Sequence, residues 1–224
     1  GTFRWDTSVG FGTPAAIISN APTTSRFTLV SPVDRHVFLF GTETTIGTSS
    51  TSDPLFLRFS SQEDFNTWLP SATNTAGSFR IQDGSKIMAA VRSRGAVLVW
   101  TDTSLHGMQF VGPPFTFSLN QLGANCGAVS NHCVQDVNGV TYWMSQNSFY
   151  MFDGAVKKLP CSVQDYVFSD FNITTQPETY CGLNSEKNEI TWFYCSENAE
   201  QIDRYVTLNY LEASWSVGSL ARTA

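Results

Sequence analysis

Three histidines are the first candidates for chemistry in this sequence: His36, His106 and His132. A serine hydrolase commonly holds its nucleophile in a Gly-x-Ser-x-Gly turn, and the sequence contains no such turn. Catalytic triads assemble from residues far apart in the chain, so a triad stays open at this stage. Without a nucleophile motif, we expect all three histidines to be half-buried structural residues.

Five cysteines are the next candidates, at positions 126, 133, 161, 181 and 195. Cys126, His132 and Cys133 are the closest approach to a ligand set, but zinc sites use paired short spacings that are absent here. We therefore predict no metal and no cofactor, and we expect reduced, semi-buried thiols. Cys181 and Cys195 fall in neighbouring predicted strands, where a contact is conceivable but a functional disulfide is not indicated.

The acidic and phosphate-loop motifs are also weak evidence for a catalytic or phosphate-binding site. Glu63 and Asp64 are adjacent, whereas a glycosidase needs two carboxylates about 5–10 Å apart across a cleft. We interpret the pair as a polar turn, distantly like the structural Asp-box of some propellers. Asp83-Gly84-Ser85-Lys86 lacks the first glycine of a phosphate loop and is predicted to be a hairpin turn. Asn172-Ile173-Thr174 matches a glycosylation acceptor and carries no weight without a secretion signal. We predict no catalytic residue.

The composition indicates an all-β protein. Phe, Trp and Tyr number 17, 6 and 7 among 224 residues, and aromatic residues (13%) nearly equal charged ones (14%), which excludes a disordered chain. The net charge of −6 argues against binding DNA or an anionic membrane through a basic surface. The sequence has no run of 18 apolar residues and no visible signal peptide. We expect it to be part of a longer polypeptide.

Turn signals divide the chain into antiparallel meanders. The clearest lies between Cys133 and Leu159, where Asn138-Gly139 is a strong hairpin signal between two apolar strands. Similar strand–turn–strand runs are predicted over 87–111 and 179–220. A less regular unit contains strands over 35–40 and 55–59, joined by the low-complexity stretch 42–52, which we expect to be mobile. A short helix is predicted within 162–168.

Tryptophan recurs at one place in this pattern. Trp100, Trp143 and Trp192 each stand four or five residues after a hairpin turn, at intervals of 43 and 49 residues. Such a period favours the blades of a β-propeller, although strand spacing alone also fits a β-sandwich. We predict one all-β domain over 1–224, a propeller-like array, either complete or fragmentary, with approximate blades 35–70, 87–118, 133–160 and 179–220.

The tryptophans have two interpretations. Exposed aromatic faces stack on sugars, which would suit a glycan-binding protein. However, Trp68, Trp100, Trp143, Trp192 and Trp215 are predicted at strand positions that pack between sheets. We therefore favour core packing over a carbohydrate site.

Four segments resemble one family of virion proteins: VWTDTSLHGMQFVGPPFTF (99–117), NGVTYWMSQNSFYMFDG (138–154), LPCSVQDYVFSDFN (159–172) and DRYVTLNYLEASWSVGSLART (203–223). Across about residues 55–224, the chain is similar to the short-tail hub or nozzle proteins of tailed bacteriophages. This group includes tail tubular protein B and the packaged-DNA stabilisation proteins. The resemblance implies a β-propeller in a hexameric ring below the portal and adaptor, with no catalytic residues.

The function expected from this resemblance is structural. The protein would belong to the virion tail, assembled in the host cytoplasm, and would line the route of DNA ejection without holding DNA. Low positive charge suits that role, because each phosphate contact adds affinity. Arg92 and Arg94 flank one turn, with Arg80 nearby, and we interpret them as solvated. The alternative is a glycan-binding or glycan-active propeller on a host-recognition appendage.

Overall fold

Short antiparallel strands make up almost all the regular structure of the computed structural model, which describes residues 1–220. A two-stranded hairpin comes first, from β1 (Phe3–Arg4) and β2 (Ala16–Ile17). The other strands form four sheets of four, and each sheet keeps its strands in chain order. This arrangement confirms the predicted all-β class and its blade-like, four-stranded meanders. A two-sheet sandwich does not describe it.

The strand bounds are as follows. The first sheet contains β3 (Phe27–Ser31), β4 (His36–Phe40), β5 (Phe56–Phe59) and β6 (Gly77–Arg80). The second contains β7 (Ile87–Ser93), β8 (Ala96–Thr101), β9 (Ser104–Gly112) and β10 (Thr116–Ala124). The third contains β11 (Val134–Val137), β12 (Val140–Met144), β13 (Phe149–Phe152) and β14 (Val156–Lys158). The fourth contains β15 (Tyr180–Asn184), β16 (Glu189–Tyr194), β17 (Arg204–Asn209) and β18 (Ser214–Ser219).

Helical structure is confined to short segments. The α-helix α1 (Gln164–Ser169) lies where a short helix was predicted, and 3-10 turns occupy Thr7–Val9, Ser49–Thr51 and Gln176–Glu178. Among residues 1–220, no helix is long and apolar enough to cross a membrane.

The predicted bounds of two blades are wrong. The first sheet runs from Phe27 to Arg80 rather than over 35–70, because β3 and β6 complete it on either side. The second continues to Ala124 rather than ending at 118. Most of β10 beyond Phe117 is exposed or half-exposed, so this edge strand lacks the apolar run that marks a buried strand.

The third and fourth sheets match the sequence most closely. Asn138 and Gly139 both adopt positive φ, 53° and 83°, as a tight type I′-like hairpin requires, and Val137 pairs with Val140 across the turn. Trp100, Trp143 and Trp192 lie in the second strands of their sheets, as the repeat predicts. Asp83–Lys86, predicted as a hairpin turn, instead connects the first sheet to the second.

The chain, predicted as one domain, divides into two compact units. The first comprises Gly1–Ile87 and Met108–Leu119, and the second comprises Met88–Gly107 and the described chain from Asn120 onward. In the first unit, Phe38, Phe59 and Phe117 pack together, with ring centroids 4.9–6.1 Å apart. In the second, Trp100 meets Trp143 edge to face at 5.3 Å within one continuous hydrophobic core. Large aromatic residues therefore fill both cores.

Candidate functional site

The buried pair Ser104–His106 is the arrangement most like a nucleophile and a base. Ser104 Oγ lies 2.9 Å from His106 Nε2 and 2.8 Å from Thr101 Oγ1. Ser104 and Thr101 are fully buried, and His106 is nearly so. A substrate has no access to this hydroxyl, so the three residues form a polar contact inside the second sheet and not a catalytic site.

The other two histidines also depart from the predicted half-buried state. His36 is fully buried among Phe38, Phe59 and Phe117, with Nδ1 2.6 Å from the Asp34 carbonyl oxygen. Burial lowers the pKa of His36, against an opposing effect of that hydrogen bond. His132 is exposed. The predicted half-burial is therefore wrong for all three histidines, although His36 and His106 serve structural roles.

Glu63 and Asp64 lie in a turn, as predicted. Asp64 accepts hydrogen bonds from the Asn66 backbone N–H at 2.9 Å and the Thr67 hydroxyl at 2.6 Å. These bonds lower the pKa of Asp64, that from Thr67 most. Glu63 is exposed and pairs with Arg35. Two carboxylates with these partners stabilise a turn and do not face a cleft.

The cysteines are thiols distributed between the core and its edge. Cys126, Cys133 and Cys195 are buried, while Cys161 and Cys181 are half-buried. Across residues 1–220, no three His, Cys, Asp or Glu side chains come together as a metal site. His132 is exposed while Cys126 and Cys133 are buried, so the one ligand set considered from sequence does not converge.

The connection between β4 and β5 is ordered around Glu43, which sequence reasoning missed. The Glu43 carboxylate is fully buried and accepts backbone hydrogen bonds from Thr23 and Thr24 at 2.8 and 2.9 Å and from Gly47 and Thr48 at 2.6 and 3.2 Å. Burial by itself raises the pKa of Glu43, but hydrogen bonds outweigh it, that from the Thr23 hydroxyl most and then those from the Gly47, Thr23 and Thr24 backbone, and hold the pKa below its ordinary value. The expected mobile loop at 42–52 is therefore anchored at one end.

The tryptophans mostly face inward. Trp68, Trp100, Trp143 and Trp192 are buried, and Trp215 is half-buried with its indole N–H 2.9 Å from the Pro160 carbonyl oxygen. Core packing is thus confirmed for the three repeat tryptophans. Trp68 lies outside any strand, so its predicted strand position is wrong although its burial is correct. The described residues show no rim of exposed tryptophans.

Two open pockets are candidate ligand sites. One, in the second unit, has a volume of about 200 Å³ and is lined by polar residues, including Asp102, Asn125 and Gln146. The other, in the first unit, has a volume of about 400 Å³ and lies beside Trp68 and Leu69. Neither gathers the convergent charged or nucleophilic groups that would define a reaction.

The strongest candidate is an exposed aromatic surface on the N-terminal hairpin. We call Phe3, Trp5, Phe11 and Ile17 the aromatic hairpin. Phe11 is 96% exposed, Phe3 and Ile17 are 60% exposed, and Trp5 is 39% exposed. The rings of Trp5 and Phe11 stack with centroids 5.3 Å apart, and the Trp5 indole N–H donates to the Thr13 carbonyl at 3.0 Å.

The aromatic hairpin has a defined local conformation. The Asp6 carboxylate caps the 3-10 turn at Thr7–Val9 and pairs with Arg4. The Arg4 guanidinium lies over the Phe65 ring, 4.7 Å from its centroid, which attaches the hairpin to the rest of the first unit. Exposed apolar patches of this kind mark interaction sites on soluble proteins. No sequence motif marks this surface, because aromatic residues are common along the whole chain.

The remaining candidates have local partners. The Asn172 side-chain amide donates to the Ala199 carbonyl at 3.0 Å, and its oxygen accepts from the Thr174 N–H. Arg80 forms an ion pair with Asp53 at 2.7 Å, and Arg94 donates to the Asp153 carbonyl at 3.1 Å. Arg92 is exposed at the same turn.

Comparisons with known proteins give structural matches alone. No protein-family model matches the chain, and no curated protein matches it. One matching structure is a chain of an S. cerevisiae complex described as Dbp5 bound to Nup159, Gle1, IP6 and ADP, at 9% identity and a TM-score of 0.36. Another is the N-terminal domain of Nup159, at 12% identity and a TM-score of 0.33. Each match covers 91% of this chain but 62% and 63% of the matched chains, which is less than two thirds of their length.

Proposed function

We propose that this protein is a non-enzymatic structural subunit of a bacteriophage tail, in a hub or nozzle ring below the portal and adaptor. Its sheets would act as propeller blades in a wall of the DNA-ejection conduit. The proposal combines the sequence resemblance with one structural observation, the exposed aromatic hairpin. The protein would assemble in the host cytoplasm and reside in the virion tail.

The aromatic hairpin supports a subunit role because its exposure is unfavourable in water and is relieved by association. Burying a large apolar side chain stabilises an interface by about 1.5–3 kcal/mol. Aromatic residues are enriched at the centres of protein interfaces. We assign as its partner a neighbouring copy of this chain, because the resemblance implies a homo-oligomeric ring, hexameric in that family.

Charge supports a conduit that does not retain DNA. Ion pairs with carboxylates engage Arg4, Arg35, Arg80, Lys157 and Arg204. Arg58 is buried and donates to the Glu43 carbonyl at 3.1 Å. Arginines held in this way offer little positive charge to phosphates, in a chain whose net charge is already −6.

The alternative, a glycan-binding appendage, would require several exposed tryptophans beside a carboxylate. Trp5 is the most exposed tryptophan within residues 1–220, and it is stacked on Phe11. The burial of Trp68, Trp100, Trp143 and Trp192 therefore favours the structural role. A glycan array with a specific positive signal would favour the alternative.

The decisive experiment measures assembly of the purified protein by light scattering and negative-stain microscopy over a range of concentrations. We expect closed rings, and we expect Phe11→Ser to weaken association at least roughly tenfold without altering the fold. Leu211→Ser is the matched control, since Leu211 is 71% exposed in a turn of the fourth sheet. Monomers at every concentration, or equal effects of the two substitutions, would contradict the proposal.

A further inference from the structure

Cys133 and Cys181 lie abreast on two neighbouring segments of the second unit. His132 and Tyr180 form a parallel β-bridge, and the Cys181 N–H donates to the His132 carbonyl at 2.8 Å. Each cysteine follows its bridged residue by one position. In a parallel pair, residues at equal positions point to the same face, about 4.8 Å apart. Disulfides span Cα–Cα distances of about 4.4–6.8 Å, so this placement suits a cross-link.

Trp192 places the same two cysteines together independently. In the pairing of β15 with β16, Cys181 lies directly opposite Trp192. The Trp192 indole N–H donates to the Cys133 carbonyl oxygen at 2.8 Å. Cys133 belongs to the buried core of the second unit, and Cys181 packs against that core. Trp192 is therefore hydrogen-bonded to the backbone of Cys133 and is the cross-strand partner of Cys181.

We propose that Cys133 and Cys181 form a disulfide under oxidising conditions, linking the third sheet to the fourth. The oxidant is a low-molecular-weight disulfide. The Cys181 thiolate attacks it and releases one thiol, giving a mixed disulfide at Cys181. The Cys133 thiolate then attacks the Cys181 sulfur, expels the second thiol and forms the Cys133–Cys181 bond. Two protein thiols are oxidised, and one small disulfide is reduced to two thiols.

The burial of the two residues sets the order of these steps. Cys181 is half-buried and Cys133 is fully buried, so the oxidant meets Cys181 first. Burial raises the pKa of both thiols, so each attacks through a small thiolate fraction and we expect the link to form slowly at neutral pH and faster as the pH rises.

The sequence suggested a different neighbour for Cys181. A contact with Cys195 is conceivable from the sequence, but Cys195 follows the end of β16, three positions beyond the residue that pairs with Cys181. The bridge between His132 and Tyr180 instead places Cys133 beside Cys181, although the two segments are almost fifty residues apart in the chain. A disulfide that closes a loop of this size restricts the unfolded chain strongly, and we expect Tm to rise by roughly 5–10 °C.

The test is to incubate the folded, reduced protein with oxidised glutathione, block remaining thiols with N-ethylmaleimide and map linked peptides by mass spectrometry without reduction. We expect one intramolecular link, Cys133–Cys181, in a product two hydrogens lighter. The total tryptophan fluorescence should fall as the link forms, because a disulfide quenches an adjacent indole and Trp192 lies opposite Cys181.

Variants separate this pair from general thiol oxidation. Cys181→Ser should abolish the link and the rise in Tm, whereas Cys161→Ser, at another half-buried thiol, should leave both unchanged. The proposal is overturned if oxidised wild-type protein links other cysteines, or if it stops at a mixed disulfide on Cys181. It is equally overturned if all five thiols remain free. The peptide map of the oxidised wild-type protein tests the proposal even if a variant fails to fold.

Discussion

Glu43 gathers four backbone N–H groups around one buried carboxylate, in a stretch whose composition suggests only a polar loop. Two of the donors come from Thr23 and Thr24, before β3, and two come from the loop itself. The carboxylate therefore joins segments that have no strand pairing with each other. Removing it leaves several buried donors without an acceptor, which is more costly than losing an exposed charge.

We expect Glu43→Ala to lower the free energy of unfolding by about 2–4 kcal/mol, because charged hydrogen bonds are lost and buried N–H groups remain unpaired. Urea denaturation measures this change. Glu63→Ala is the control, since Glu63 is exposed in a turn, and it should cost less than about 1 kcal/mol. Equal losses in the two variants would contradict the structural role of Glu43.

The lowered pKa of Glu43 predicts that the stability of the fold depends on pH. The pKa of Glu43 is lower in the folded protein than in the unfolded chain, so the ionised form stabilises the fold. That stabilisation is complete above the ordinary glutamate pKa and is lost as the pH falls through the folded value. Stability of the wild type should therefore fall more steeply on acidification than that of Glu43→Gln. Parallel pH profiles for the two proteins would refute this assignment.

The backbone of Gly127 lies close to the backbone of Asp102, which leaves no room for a side chain at position 127. A Cβ at this position would lie 2.2 Å from the carbonyl carbon of Asp102, and backbone atoms there have little room to yield. Gly127→Ala should destabilise the protein by about 1–3 kcal/mol. Gly12→Ala is the matched control, because a Cβ at Gly12 has no atom within 4 Å. Thermal unfolding of the two variants makes the comparison, and an unchanged Tm for Gly127→Ala would contradict it.

At the scale of strands and sheets, the repeat tryptophans differ in their hydrogen bonds. The indole N–H of Trp143 donates to the Cys126 carbonyl at 2.7 Å, and that of Trp192 donates to the Cys133 carbonyl at 2.8 Å. The Trp100 indole N–H is buried with no hydrogen-bond partner among the described residues. One repeated sequence position therefore gives similar packing but different polar contacts.

Replacing each tryptophan by phenylalanine separates these contributions. Trp143→Phe and Trp192→Phe lose a buried hydrogen bond as well as ring volume. Trp100→Phe loses ring volume but removes a donor without a partner. We expect the first two to cost about 1–2 kcal/mol more than Trp100→Phe in chemical denaturation. A Trp100→Phe variant as unstable as the others would mean that its N–H has an acceptor.

The sequence predicted the structural elements that are specified by residues close together in the chain. Asn138-Gly139 specifies a tight turn by its backbone preferences, and Val137 and Val140 pair directly across it. By contrast, β6 pairs with β5 across a long connection, and its four residues, Gly77–Arg80, carry no pattern of their own. The environments of Glu43 and His36 depend on partners distant in the chain, Thr23 and Phe117, so no local motif reveals their burial.

At the scale of the whole molecule, charge predicts weak binding to duplex DNA. The net charge is −6, and several arginines already form ion pairs with carboxylates. Few counterions would be released on contact with phosphates. We expect no gel shift with duplex DNA at micromolar protein in about 50 mM salt, where electrostatic binding is strong.

The control is the double variant Asp53→Asn/Asp170→Asn, which removes the acidic partners of Arg80 and Arg204. It should bind DNA at least as well as the wild type, since it is less acidic. Submicromolar binding by the wild type that weakens steeply with added salt would contradict a passive conduit and indicate a protein that grips DNA.

The sequential order of strands within each sheet also bears on synthesis at the ribosome. Within each sheet, every strand after the first pairs with the strand made just before it, so no sheet waits for a partner that lies in a later sheet. Native contacts of low sequence separation form quickly, and N-terminal parts of a chain fold first during translation. Once Lys158 has left the exit tunnel, three of the four sheets have all their strands. A nascent chain arrested beyond that point should already protect the β11–β14 hairpins from protease.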